Sequence, residues 1–206
     1  MIYQIFRIIF LVLSKIFFRL KVINKNKIPR TGALIIASNH TSFLDPVLLG
    51  VASPRPFNFM AREDLFSSNR FFGRLLQSIN AFPLRREGSA LGAFKEALKR
   101  LQQEKALVIF PEGTRSKNGA LGKAHSGIGL LALKSRSPVI PAYIDGSGKA
   151  LPRNACFIKC EPITVYFGEP ISTTSFAELE SQENYQRFAD LIMERITQLK
   201  KLHAKT

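Results

Sequence analysis

Beyond residue 30 the chain alternates between short, dense apolar runs and longer stretches in which apolar residues recur every three or four positions. The runs at 33–38 (ALIIAS), 57–61, 81–85, 107–110 (LVIF) and 139–144 (VIPAYI) predict buried strands, and 162–170 (PITVYFGEP) a late one. Stretches at 46–51, 65–79, 89–103 and 127–134 predict the helices between them, and 178–202 a closing helix. Within 89–103, Leu91, Phe94, Leu98 and Leu101 fall on one helical stripe, which is a packing face. Strand and helix in alternation predict an α/β fold: a mostly parallel central sheet with helices on both faces. No repeat or break divides residues 31–206, which read as one domain.

Residues 1–30 follow another pattern. Large apolar side chains crowd the segment from Ile2 to Phe18, but Arg7, Lys15 and Arg19 interrupt it. The stretch between Arg7 and Lys15 is far shorter than the ~20 apolar residues a spanning helix needs. Projected at about 100° per residue, Gln4, Arg7, Ser14, Lys15, Arg19 and Lys21 share roughly half the circumference, with Ile8, Leu11 and Phe18 intruding. The pattern predicts a helix lying in a membrane interface, apolar side chains in the acyl region and cations among the headgroups. The other use of such a helix is to dock on the domain behind it. No small-residue cleavage site follows the apolar run, which argues against a removed signal peptide.

Charge sharpens this picture. The chain carries 30 Lys and Arg against 15 Asp and Glu, a formal charge of +15. Seven basic residues and no acidic one precede Asp45. Such an excess points to an anionic partner: nucleic acid, an anionic bilayer or an anionic substrate. The basic residues are spread along the chain, with no zinc-finger spacing and no RRM-type aromatic block, so nucleic acid is not expected. Cys156 and Cys160 are the only cysteines, and their C-x3-C spacing lacks a second pair or a nearby His. They read as free thiols of a reduced, cytoplasmic protein. The three histidines, His40, His125 and His203, show no ligand spacing, so neither a metal nor another cofactor is expected.

The chemistry gathers at residues 39–46 (NHTSFLDP). A predicted strand ends at His40, and five residues later Asp45 precedes Pro46. Asp-Pro is a helix-start signal, with the carboxylate placed to cap free amides and Pro at the first helical position. The intervening chain must turn, which can return the Asp45 carboxylate to the imidazole. An Asp bonded to one ring nitrogen fixes the tautomer and stabilises the imidazolium formed when the other nitrogen takes a proton. Ser42 lies between the two but lacks the Gly-x-Ser-x-Gly elbow of a nucleophile. A base without an enzyme nucleophile suits direct attack by a substrate hydroxyl on an activated acyl group. Alone, an H-x4-D spacing is more often a capped turn.

It does not stand alone. Residues 110–116 (FPEGTRS) follow directly on the strand LVIF, and loops after parallel strands are where open α/β sheets bind ligands. Gly113 allows close backbone approach, Thr114 and Ser116 offer hydroxyls, and Arg115 can grip a phosphate bidentately. Arg85 and Arg86 end another predicted strand and offer further positive charge, or a solvated basic edge.

These segments together resemble the glycerolipid acyltransferase family, whose bacterial archetype acts on 1-acyl-sn-glycerol-3-phosphate. NHTSFLD matches the family's first block, with His40 and Asp45 in the catalytic positions. AFPLRR resembles the second, its arginine falling on Arg86. FPEGTRS matches the third from Phe110 through Ser116, and VIPAYI resembles the fourth with Pro141 in place. The blocks run in order from about residue 33 to 146, and the segment 1–30 resembles the family's membrane-docking helices. Asn80 stands where the second block usually opens with Gly, and Asn tolerates the left-handed backbone such a turn needs. After the third block either Lys123 or His125 occupies the place of a family Lys-x-Gly element.

The resemblance implies acyl transfer from acyl-CoA or an acyl carrier protein to a lysophospholipid hydroxyl, at the cytoplasmic face of an anionic membrane. It implies substrate binding by Arg86, Glu112, Gly113, Thr114 and Arg115. Glu112 would repel a phosphate, so it either positions an Arg or bonds a glycerol hydroxyl. Lysophosphatidic acid is the favoured acceptor, with glycerol-3-phosphate, larger lysophospholipids and lipid A-type acceptors as the others. Rival classes are a non-catalytic membrane-binding module and a hydrolase using the same His with water.

Overall fold

Seven strands build one sheet in a computed structural model that describes residues 2–62, 66, 74, 80–84, 90–155, 157–176 and 181–203. They are β1 (Lys21–Ile23), β2 (Leu34–Ser38), β3 (Phe57–Arg62), β4 (Ala81–Leu84), β5 (Ala106–Ile109), β6 (Val139–Asp145) and β7 (Thr164–Phe167). The order is β1-β7-β6-β2-β5-β3-β4, parallel from β6 to β4, with β7 antiparallel to β6. The α/β architecture matches the alternation in the sequence.

Among the described residues the α-helices with defined bounds are α1 (Ile2–Phe18), α2 (Asp45–Ala52), α3 (Ala90–Gln102), α4 (Ser126–Ser135), α5 (Ser147–Ala150) and α6 (Gln182–His203). Because side chains of a strand alternate between faces, β2 feeds two cores at once. Leu34 and Ile36 join Leu48 and Leu49 of α2 and Phe18 of α1 on one face. Ile35 and Ala37 join Leu101 of α3, Leu131 of α4 and Ile192 of α6 on the other. All five β2 residues are buried, as expected of a central parallel strand covered by helices.

Two elements were not legible. β1 adds three residues beside β7, too few to display an alternation. The four-residue α5 follows β6 directly. The predicted helix at 65–79 lies outside the described residues apart from Phe66 and Arg74, and so do Arg85, Arg86 and Cys156. Asn80 adopts a left-handed φ of 61°, the backbone its place before β4 was expected to need.

α1 shows how the N-terminal pattern is used. Arg7, Phe10, Leu11, Ser14 and Phe18 face the domain, and the Arg7 guanidinium donates to the carbonyl of Ser53, at the C-cap of α2. A cation there meets the negative end of the helix dipole. Ile5, Ile8, Ile9, Val12, Leu13, Ile16 and Phe17 are left exposed on the other side. Arg7 and Ser14, projected onto the polar sector, therefore turn toward protein. Among the described residues no helix is long and apolar enough to cross a membrane.

Candidate active site

β6, β2 and β5 lie side by side and parallel, so the loops after them meet at the carboxyl edge of the sheet. The loop after β2 carries His40, that after β5 carries Arg115, and β6 leads into α5. Asn39 locks the first of these in place. Its side chain donates to the Ile144 carbonyl at 3.0 Å and accepts from the Ile144 amide at 2.8 Å, extending the β2–β6 pairing past the end of β2.

The turn after Asn39 folds back as the spacing predicted. His40 Nδ1 lies 2.8 Å from Asp45 Oδ2. The same oxygen accepts the backbone amides of Thr41 at 2.7 Å and Ser42 at 2.8 Å. An oxygen that already accepts two amides is an acceptor toward the ring as well, so Nδ1 carries the proton and Nε2 holds the lone pair. Asp45 opens α2 but does not cap it: its carboxylate faces backward to the turn, and Ser42 Oγ accepts the Leu44 amide at 3.2 Å. Asp45 is wholly buried and the His40 side chain 17% exposed, so the carboxylate is sealed while the imidazole retains an open edge. The ring also stacks on Phe110 with centroids 3.9 Å apart, which fixes its plane.

The FPEGTRS loop is tied to this turn at two points. The Ser116 amide donates to the His40 carbonyl at 2.8 Å. Glu112 accepts the His40 amide on Oε1 at 3.4 Å and the Gly122 amide on Oε2 at 2.8 Å. Glu112 thus holds three loop segments together through backbone amides, a role different from either of those foreseen for it. Gly113 takes a left-handed φ of 67°, and a Cβ there would meet the His125 ring at 3.0 Å. The left-handed turn favours glycine, and a larger residue would also push the His125 ring aside by a few tenths of an ångström. Of the two, His125 lies against the loop, its amide donating to the Pro111 carbonyl at 3.0 Å, although both His125 and Lys123 are exposed. Thr114 is exposed, its hydroxyl 3.3 Å from the Arg115 carbonyl.

Arg115 lies over the Phe43 ring, 3.5 Å from its centroid, a cation–π contact that places it above the turn joining His40 to Asp45. Partial burial lowers its pKa, the neighbouring Arg153 lowers it further, and Asp45 acts in the opposite sense. A guanidinium stays charged through any such shift. Arg153, which the sequence did not single out, follows α5 and has no motif around it. Of the predicted site residues, the structure brings together His40, Asp45, Glu112, Gly113, Thr114 and Arg115. Among the described residues no cluster of His, Cys, Asp or Glu could hold a metal ion.

Known proteins are similar to this chain. Residues 19–145 match the family model described as Acyltransferase. The 1-acyl-sn-glycerol-3-phosphate acyltransferase of Bacillus subtilis is 32% identical over 182 residues, covering 87% of each chain. The Streptococcus pneumoniae protein of the same name is 30% identical, over 77% of this chain and 58% of its own. The crystal structure of the lysophosphatidic acid acyltransferase PlsC from Thermotoga maritima superposes with a TM-score of 0.70 at 22% identity. That match spans 88% of this chain and 72% of the other, and shows a shared fold.

Proposed function

This chain belongs to the acyltransferase family, and from that premise we propose that it acylates the free hydroxyl of 1-acyl-sn-glycerol-3-phosphate, giving phosphatidic acid. The observation that carries the reading is the 2.8 Å His40–Asp45 contact, with Arg115 fixed over Phe43 of the same turn. The acceptor's phosphate binds Arg115, which brings its hydroxyl to Nε2 of His40. Nε2 takes the hydroxyl proton as the oxygen attacks the thioester carbonyl of acyl-CoA or acyl carrier protein. The tetrahedral intermediate collapses, the C–S bond breaks, and the imidazolium returns its proton to the departing thiolate. Asp45 stabilises the imidazolium between the two transfers. Arg86 is a further candidate for the phosphate, on the family resemblance alone.

The test offers purified protein a panel of lysolipids, with both thioester donors, and identifies products by mass. Phosphatidic acid from lysophosphatidic acid is the expected product, and transfer only to other acceptors would refute the acceptor assignment. Arg115→Ala is expected to raise KM for the phosphorylated acceptor by about 10- to 100-fold, the worth of a charge-assisted bidentate contact. An unchanged KM would remove Arg115 from phosphate binding.

The same reading seats α1 in the cytoplasmic leaflet, as the docking element of the domain formed by residues 31–206. Seven large apolar side chains line its outer side. Lys25, its pKa lowered by burial and by Arg7, Arg30 and Lys15, belongs to a cationic cluster beside the helix. Ile8 and Ile16 are 60% and 67% exposed, and converting both to Ser gives up roughly 1.5–3 kcal/mol of burial each on membrane insertion. Co-sedimentation with phosphatidylglycerol-containing vesicles should fall by about tenfold or more. Binding equal to that of the parent would place the membrane contact elsewhere.

A further inference from the structure

The matched family region stops at residue 145, yet the chain immediately beyond it is fastened to the catalytic turn. Gly146 has a φ of +87°, and a Cβ there would fall 2.0 Å from the Pro162 carbonyl oxygen, so only glycine permits this exit from β6. Thr41 Oγ1 and Ser147 Oγ are 2.9 Å apart, and Ser42 Oγ donates to the Leu151 carbonyl at 2.9 Å. The two residues between His40 and Phe43 therefore each hold the α5 segment with a side-chain hydrogen bond. That segment delivers Arg153.

Arg153 meets Arg115 in a reciprocal contact. Its Nη1 donates to the Arg115 carbonyl at 3.1 Å, and Arg115 Nη1 lies 3.4 Å from the Arg153 carbonyl. Each guanidinium reaches the other residue's backbone, and the two charges are near enough for Arg153 to lower the pKa of Arg115. Among the described residues neither has a carboxylate within ion-pair distance. Asp45, the acid that acts on Arg115, is committed to His40 and two amides. Like charges placed together without a counter-charge make a receptor for a multiply charged anion, and paired forks present a planar array of donors to phosphate oxygens.

We propose that Arg153 is a second guanidinium for the acceptor's phosphate, paired with Arg115 so that the site selects a dianionic phosphomonoester over a singly charged phosphodiester. The inference rests on the acceptor reading above and adds a specificity-determining residue outside the four sequence blocks. It also accounts for the two hydrogen bonds that anchor the α5 segment. They hold Arg153 in register with the turn that presents His40.

The test measures KM for 1-acyl-sn-glycerol-3-phosphate with the parent protein, Arg153→Gln and Arg153→Lys, at pH 7.5 and pH 5.5. A phosphomonoester loses its second negative charge as pH falls through about 6. At pH 7.5, R153Q is expected to raise KM about tenfold, with most of the loss in KM rather than kcat, and R153K to fall between. At pH 5.5 the ratio of the R153Q and parent KM values should shrink by at least about threefold, because a monoanion draws less from the second guanidinium. Titration of other groups common to both proteins cancels in that ratio. If Arg153 only braced the Arg115 loop, R153Q would raise KM no further once Arg115 is already Ala, and that result, or a ratio unchanged between the two pH values, overturns the proposal. So does a KM for R153Q within about twofold of the parent at pH 7.5. If the parent itself yields no phosphatidic acid, the acceptor reading fails first and takes this inference with it.

Discussion

His40→Ala is expected to lower the rate of acyl transfer by about 10²–10⁴-fold, the range that general acid–base help supplies. The variant should remain folded. Asp45 Oδ2 keeps both of its backbone donors, Thr41 and Ser42, so truncating the ring leaves the buried carboxylate satisfied on that oxygen. What is lost structurally is one hydrogen bond and the stacking on Phe110, together about 1–3 kcal/mol. Initial rates, compared at matched folded fraction from thermal unfolding, check this. A folded variant within about tenfold of the parent rate would show that the proton leaves by another route.

Asp45→Asn should cost about 10³–10⁴-fold, mainly in kcat, by the same reasoning that makes the acid of a Ser-His-Asp triad indispensable. The asparagine oxygen can still accept the Thr41 and Ser42 amides, so the turn survives. It can also still accept from Nδ1, but no negative charge faces the imidazolium that forms during transfer. Asp45→Ala is the harsher change, because it leaves two amides in the turn without their acceptor, each costing about 1–3 kcal/mol where buried. Comparing the two variants separates charge from scaffolding. An Asn variant with near-parental kcat and a destabilised Ala variant would make Asp45 a brace for the turn and nothing more.

The sequence announced those two residues because everything that joins them is local. Five positions separate them, a dense apolar run ends just before His40, and Asp-Pro begins the next helix. The parallel strands and most helices were legible for the same reason, as each is a continuous run with its own period. Features that depend on distant segments were not. Glu112 bonds the amides of His40, 72 positions away, and Gly122, 10 positions away, and no spacing rule connects the three. Arg153 reaches Arg115 across 38 positions, through a helix of four residues too short to carry a pattern. The projection of α1 separated polar from apolar residues but could not say that Arg7 and Ser14 would face inward. Arg7 finds its partner in the carbonyl of Ser53, 46 residues on, and Phe10, Leu11 and Phe18 of the same side pack on the core. β1 escaped because three residues, Lys21 to Ile23, look like the tail of the preceding apolar segment.

His40 can serve as the base only if its proton sits on Nδ1, facing Asp45. Only three histidines are present, so ring ¹⁵N labelling of the detergent-solubilised protein, with His40→Ala as the assignment control, isolates the signal of interest. Near neutral pH the expected spectrum shows a protonated Nδ1, shielded from solvent by Asp45, and an Nε2 with a free lone pair. A spectrum placing the proton on Nε2 would leave no base facing the acceptor and would contradict that role for His40.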